Sequence, residues 1–133
     1  MLKYVMFCLA LTLGLGTFQA AAWTIPAGSV IITPNGGLTE VEKVDRLIEF
    51  VRSLKGATFI RNGSEHSCQQ AADHLQSKWE KHKNKIASAK EFIEELASKS
   101  GMSGEPYKIR FSNGSEQTTS FVLNQELKRI ENL

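Results

Sequence analysis

The residues with the clearest chemical potential are one cysteine and two histidines that lie close together in the chain. His66 and Cys68 are two positions apart, and His74 follows in the same predicted helix as Cys68. A thiolate in the first turn of a helix is stabilised by the free N–H groups and the helix dipole, and a nearby imidazolium lowers its pKa further. This arrangement would suit a redox-active or nucleophilic thiol at Cys68.

The helical pattern around Cys68 favours a structural role instead. The other apolar positions of the predicted helix share its stripe: Ala71, Ala72, Leu75 and Trp79. A cysteine on such a stripe usually behaves as a small buried hydrophobe. His74 lies about 240° around the helix from Cys68, so one helix cannot aim both side chains at the same atom. We therefore assign no catalytic residue and keep a reactive Cys68 as the alternative.

The same residues are a poor match for a metal site. His66 and Cys68, with His74 or His82, would supply imidazole and thiolate ligands. Structural zinc sites need a full tetrahedral set of ligands at recognisable spacings, and the chain has no second close pair of such residues. We expect neither a metal ion nor another cofactor.

Polar residues outside this helix could join one of its histidines in a small binding pocket. Some of them lie just before the helix, and a tyrosine follows a loop near the end of the chain. Loops held by a rigid scaffold are where binding groups concentrate. The expected binding residues are Arg61, Asn62, His66, His74 and Tyr107.

Four helices are predicted, and each begins at a recognisable cap. In a capping box, a Ser or Thr cap and a Glu or Gln three residues later each satisfy a free N–H group at the helix start. Three such pairs precede apolar stripes at helical spacing: Thr39 with Glu42, Ser67 with Gln70, and Ser88 with Glu91. The fourth helix is expected to be capped by Thr119 or Ser120.

The apolar period changes from helical to alternating after Pro106. Tyr107, Ile109 and Phe111 fall on one side of an extended segment, and Asn113-Gly114 is a strong hairpin turn signal. An isolated hairpin is marginally stable in water, so this one must pack against the helices. The sequence predicts a helix-rich α+β domain of about four short helices with a small antiparallel β-hairpin.

The first 22 residues are typical of a secretory signal peptide. Lys3 supplies a positive start, the apolar run from Val5 to Leu15 is too short to span a membrane, and Ala20-Ala21-Ala22 offers a cleavage site. The expected division is a signal peptide at 1–22, a Pro/Gly-rich arm or linker at 23–38 and a single domain at 39–133.

Removal of the signal peptide would leave a nearly neutral chain with one thiol. The full sequence has 133 residues, a formal charge of +2 and two cysteines, and the signal contains Lys3 and Cys8. A single remaining cysteine excludes an internal disulfide. Export also separates the chain from most nucleic acid. We expect no nucleic-acid partner, and at most weak contact of the basic segment Lys78–Lys90 with an anionic envelope surface.

Five separate pieces of the sequence carry a family resemblance by their order and spacing. They are Phe59-Ile60-Arg61-Asn62-Gly63, His66-Ser67-Cys68, Ala71-Ala72-Asp73-His74-Leu75, Phe92-Ile93 with Ala97-Ser98, and Ser103-Gly104-Glu105-Pro106-Tyr107. On these pieces the chain resembles the YfeK-like family of short exported bacterial proteins. The resemblance covers about Val44 to Leu127 and implies a periplasmic Gram-negative protein with no established activity or cofactor. The chain departs from the family in its arm before Thr39 and in Glu105, where members often carry lysine.

These observations favour a noncatalytic binding or interaction module of the cell envelope, whose partner is a small ligand or another envelope protein. The sequence shows no nucleophile with an evident base, no carboxylate pair at catalytic spacing and no phosphate-binding loop. The alternative is a small thiol-dependent or hydrolytic envelope enzyme that uses Cys68 or His74.

Cleavage after Ala22 predicts a mature chain of 111 residues that begins Trp23-Thr24-Ile25. The expected location is periplasmic or secreted, so cells that express the full chain should yield this N-terminus when protein from the periplasmic fraction or the culture medium is sequenced. A chain that keeps Met1, or one recovered only from the cytoplasmic fraction, would contradict the predicted signal peptide.

Overall fold

The part of the chain that the computed structural model describes is 36–133. These residues form four α-helices and a four-stranded antiparallel sheet, which confirms the predicted helix-rich α+β class. The predicted signal peptide and nearly all of the arm lie outside the described residues. In chain order the elements are α1 (Glu40–Ser53), β1 (Thr58–Arg61), β2 (Ser64–Ser67), α2 (Cys68–His82), a 3-10 turn (Lys83–Lys85), α3 (Ala89–Phe92) continued by a π-helical turn (Ile93–Ala97), β3 (Lys108–Arg110), β4 (Glu116–Thr118) and α4 (Thr119–Glu131).

The helix starts follow the capping chemistry closely. The capping boxes of α1 and α2 both form, because Thr39 and Ser67 each accept the N–H three residues on while the Glu or Gln there accepts the N–H of the cap. Ser88 caps α3 by accepting from the Glu91 N–H, but the Glu91 carboxylate accepts from the Ala87 N–H instead. The third box is therefore displaced by one residue.

The cap of α4 differs from the prediction. Thr118, rather than Thr119 or Ser120, accepts the N–H of Phe121 and begins the helix. The Thr119 side chain is completely buried, and its backbone N–H donates to the carbonyl of Tyr107. Because the Thr119 side chain is packed in the interior, the exposed hydroxyl of Thr118 caps the helix instead.

The sheet is larger than the single hairpin expected after Pro106. Its order is β2-β1-β3-β4, so the predicted hairpin β3–β4 pairs edge to edge with a second hairpin, β1–β2. The turn of the second hairpin is Asn62-Gly63, where both residues have positive φ angles of 50° and 72°. Strand β2 reads Ser-Glu-His-Ser and carries no apolar residue, so alternating hydrophobicity could not reveal it.

The strand register gives the sheet a buried face and an exposed face. Residues directly opposite each other on antiparallel strands point to the same face. Phe59 of β1 lies opposite His66 of β2 and Ile109 of β3, and Phe59 and Ile109 are buried beneath the helices. On the exposed face, Arg110 of β3 contacts the carboxylate of Glu116 on the neighbouring strand β4 and that of Glu65 on β2, the strand beyond β1.

The core lies between this buried face and the helices, with α2 packed against both α1 and the β1–β2 hairpin. Aromatic rings pack within each layer: Phe59 and Tyr107 on the sheet side are 5.3 Å apart between centroids, and the Trp79 and Phe92 rings of α2 and α3 meet edge to face at 5.8 Å. Within the described residues, none of the helices is both long and apolar enough to cross a bilayer.

Candidate functional site

A small pocket lies where the β1–β2 hairpin meets helix α2. Its volume is about 220 Å³. The residues that line it come from β1, β2 and α2: Phe59, Arg61, His66, Gln70, Ala71 and His74. It is therefore built from regular elements rather than from loops.

Two local patterns aim these side chains into one space. Arg61 is two residues after Phe59 in β1, and His66 lies opposite Phe59, so both histidine and arginine share the buried face of the sheet. In α2, Gln70 and His74 are four residues apart, which places them one turn apart on the same side of the helix. The hairpin and the helix thus bring polar groups from both sides.

Polar groups of two residues that line this pocket, His66 and Arg61, lack protein partners in the described part of the chain. The Nε2 atom of His66 is buried and has no hydrogen-bond partner among the described residues. Arg61 is half-buried, yet it has no carboxylate partner within 36–133. The arginines that do form ion pairs there are Arg52, Arg110 and Arg129. A buried polar atom without a partner costs about 1–3 kcal/mol, so an unpaired group here needs an explanation.

Lys78 and Tyr107 lie next to the pocket, close to His74. The Lys78 Nζ donates to the carbonyl of Leu96 at 2.6 Å and lies 5.3 Å from the centroid of the Tyr107 ring. The Tyr107 ring in turn meets the edge of the His74 ring at 6.4 Å. Lys78 is one turn after His74, so the same flank of α2 carries both residues.

The pKa shifts of the residues in and beside the pocket reflect their burial and the excess of positive charge around them. Burial lowers the pKa of His74, and the neighbouring cations lower it further, with Arg61 and Lys78 foremost among them. Burial, and then Arg61, also lower the pKa of Lys78. Burial raises the pKa of Tyr107, while Arg61 opposes that rise. Every charged group that acts on His74 or Lys78 is cationic.

The structure brings together most, but not all, of the predicted binding residues. Arg61, His66 and His74 line the pocket, and the ring of Tyr107 stands beside His74. Asn62 does not line it, because the turn conformation directs its amide to the hydroxyls of Ser100 and Ser103.

Sequence reasoning missed two contributors. The sequence places Gln70 in the cap of α2 and Lys78 in the basic segment, and neither is among the expected binding residues. The signal that could have found them is their spacing, since Gln70, His74 and Lys78 recur every four residues along one helix flank.

Cys68 lies apart from this pocket's lining, in the core. Its side chain is 4% exposed, and its thiol donates to the carbonyl of Ala57 at 3.5 Å. Burial raises the pKa of the thiol, which disfavours the thiolate needed for nucleophilic or redox chemistry. These observations support the structural interpretation of Cys68 over the reactive one.

Two other features considered in the sequence analysis are a metal site and the basic segment Lys78–Lys90. Among the described residues, no group of three or more His, Cys, Asp or Glu side chains is placed to hold a metal ion. In the basic segment, Lys81, Lys83 and Lys85 are exposed, and Lys90 lies 4.0 Å from Glu94. Only Lys78 of the basic segment's lysines is drawn into the half-buried part of the fold.

Comparison with known proteins places the chain in a family. Residues 39–131 match a family described as "Family of unknown function (DUF5329)", and the chain belongs to that family. It is 33% identical over 84 residues to the "Uncharacterized protein YfeK" of Salmonella typhimurium (strain LT2), a region that spans 63% of this chain and 66% of that protein. The predicted resemblance to YfeK-like proteins is confirmed. No solved structure matches significantly.

The lowered pKa of His74 predicts that acid destabilises the protein through this residue. The unfolded chain, with its histidine near the ordinary value of 6.5, binds the proton more readily than the folded chain. The stabilising contribution is therefore complete above about pH 7 and is lost as the pH falls through 6.5 towards the folded value. Urea unfolding from about pH 8 to pH 5 should show a shallower loss of stability in His74→Gln than in wild type.

The size of this effect has a ceiling, because one proton changes the free energy of unfolding by at most about 1.4 kcal/mol per pH unit. His82→Gln removes an exposed imidazole from the last turn of the same helix and is the matched control. Equal slopes for wild type and His74→Gln would contradict the prediction.

The burial of Cys68 predicts that its thiol is alkylated only when the protein unfolds. In native buffer, iodoacetamide should modify the Cys68 peptide far more slowly than in urea, as measured by mass spectrometry. Alanine at this position should lower stability and leave pocket binding intact. Rapid alkylation of the folded protein that rises with pH around neutrality would instead support the enzyme alternative.

Proposed function

We propose that the protein is a noncatalytic binding module of the cell envelope that holds a small ligand in the pocket between the β1–β2 hairpin and α2. One observation carries the proposal: the pocket contains polar groups that the protein itself leaves without partners. His66 Nε2 is buried and unpaired, and Arg61 has no carboxylate partner among the described residues. A bound ligand would supply the missing partners.

The lining of the pocket supports binding rather than catalysis. His74 has a lowered pKa, so a neutral imidazole is available there as a base near neutral pH. Within 36–133, however, the lining includes no Ser, Thr or Cys side chain that this base could activate. Cys68 is held in the core by its contact with Ala57.

The envelope location rests on the predicted signal peptide and on what the resemblance to YfeK-like proteins implies. The mature domain would then meet ligands in the periplasm. The exposed lysines after Lys78 would allow weak contact with an anionic envelope surface, separately from the pocket.

A periplasmic extract provides a direct test. Isotope-labelled protein, purified as the cell processes it, is titrated with the protein-free small-molecule fraction of that extract and followed by NMR. The amide resonances of Arg61, His66 and His74 should shift, and the spectrum of the extract should not change with time. Arg61→Gln should weaken the shifts, because it removes a lining group.

Lys108→Gln is the matched control, since Lys108 is an exposed cation on the opposite face of the same sheet. It should respond as wild type does. Shifts confined to other surfaces would contradict the proposed pocket, and conversion of an extract component would favour the enzyme alternative.

A further inference from the structure

We infer that the ligand presents an anionic oxygen group, a carboxylate or a phosphate, to Arg61, His66 and His74. This inference rests on the proposed function and specifies the chemistry of its ligand. It follows from the sign of the charge, the kind of polar atoms and the size of the pocket.

The charge in the pocket has a single sign. The ionisable side chains that line it are Arg61, His66 and His74, and Lys78 lies close by on the same helix flank. Among the described residues, three larger depressions of about 430, 460 and 490 Å³ carry acids and bases together. Lys43, for example, contacts the carboxylates of both Glu40 and Glu131. The pocket at His66 is distinguished by basic groups without a carboxylate.

The polar atoms of the pocket are suited to donate hydrogen bonds to oxygen. Arg61 offers a planar fork of N–H groups that matches a carboxylate or phosphate, and an imidazole donates from one ring nitrogen when neutral and from both when protonated. The Gln70 side-chain oxygen already accepts from the Ser67 N–H, which leaves its amide nitrogen as the free donor. An oxygen anion would therefore find donors from both the hairpin and the helix.

The clustering of like charges also favours an anion. Burial lowers the pKa of both His74 and Lys78, and repulsion from the cation Arg61 lowers them further. An anion between them replaces repulsion with attraction, so it gains affinity from charges that are already in position. The volume of about 220 Å³ admits one small acidic group, and a larger ligand would extend out of the pocket.

Three simple probes test the charge and the chemistry. Sulfate represents a phosphate group and keeps its charge from pH 5 upward, acetate represents a carboxylate, and acetamide is a neutral molecule of the same shape as acetate. Each is titrated into the full, cell-processed protein at constant ionic strength, and the imidazole resonances of His66 and His74 are followed by NMR. We expect sulfate or acetate to saturate these shifts and acetamide to leave them unchanged.

A bound anion should also raise the pKa of His74, because opposite charge favours the protonated ring. The groups that face this ring are Arg61 from β1, His66 from β2, Lys78 and Lys81 from α2, and Tyr107 before β3. Comparison of the NMR titration of His74 with and without sulfate measures this shift directly. A purely nonspecific salt effect would be reproduced by chloride.

Matched variants connect the binding to the pocket. Arg61→Gln should raise the dissociation constant of the anion about tenfold or more, the loss expected for one charged hydrogen bond. Lys108→Gln should change it by less than about twofold, because that exposed charge is screened. If Arg61→Gln does not fold, His74→Gln provides the second variant, and dispersed amide resonances verify the fold of each.

The outcomes separate this inference from the function it rests on. Binding of acetamide but not of sulfate or acetate would overturn the inference that the ligand is an anion. The proposed function as a ligand-binding pocket would stand. Anion shifts that Lys108→Gln reduces as much as Arg61→Gln would overturn the assignment to this pocket. If neither the probes nor the periplasmic extract perturbs the pocket, the proposed function fails as well.

Discussion

The register of the β1–β2 hairpin is the constraint on which the rest of the structure depends. Because Phe59 lies opposite both His66 and Ile109, one face of the sheet carries an apolar centre with a polar margin at β2. A shift of one residue would turn His66 to solvent and put Glu65 against the helices. Ser67 is both the last residue of this strand and the N-cap of α2. The helix therefore runs back across the buried face of the sheet. Core and candidate site thus arise from one pairing.

Helix α2 serves two purposes through two of its faces. Its apolar stripe, which includes Leu75 and Trp79, packs into the core, and the adjoining flank carries His74 and Lys78. Lys78 reaches the carbonyl of Leu96 in the π-helical turn after α3, where regular helical hydrogen bonding is interrupted. The lysine therefore satisfies a backbone group while adding positive charge beside Tyr107. Structural and electrostatic roles coincide in this side chain.

The candidate site has an electrostatic cost in the protein alone. Partly buried cations without a carboxylate oppose folding, and burial together with the neighbouring cations lowers the pKa of His74, so the ring resists protonation. Elsewhere in the described chain, arginines such as Arg110 sit between acids. The contrast between paired arginines such as Arg110 and the half-buried Arg61 of the pocket, which is unpaired within 36–133, is what points to a ligand. Cys68, a few ångströms from the backbone of Ala57 in the core, contributes packing instead.

The sequence by itself determined the features that depend on neighbours along the chain. The caps at Thr39 and Ser67 and the helix-rich α+β class needed only local hydrogen bonding and apolar spacing. The tertiary structure alone decided that β2 is a strand, since it has no apolar residue, and that Asn62 turns away from the pocket while Arg61 enters it. These outcomes depend on strand pairing and packing between residues distant in sequence. Pairing joins backbone groups, which every residue type except proline carries in full, so side-chain identity alone does not disclose it.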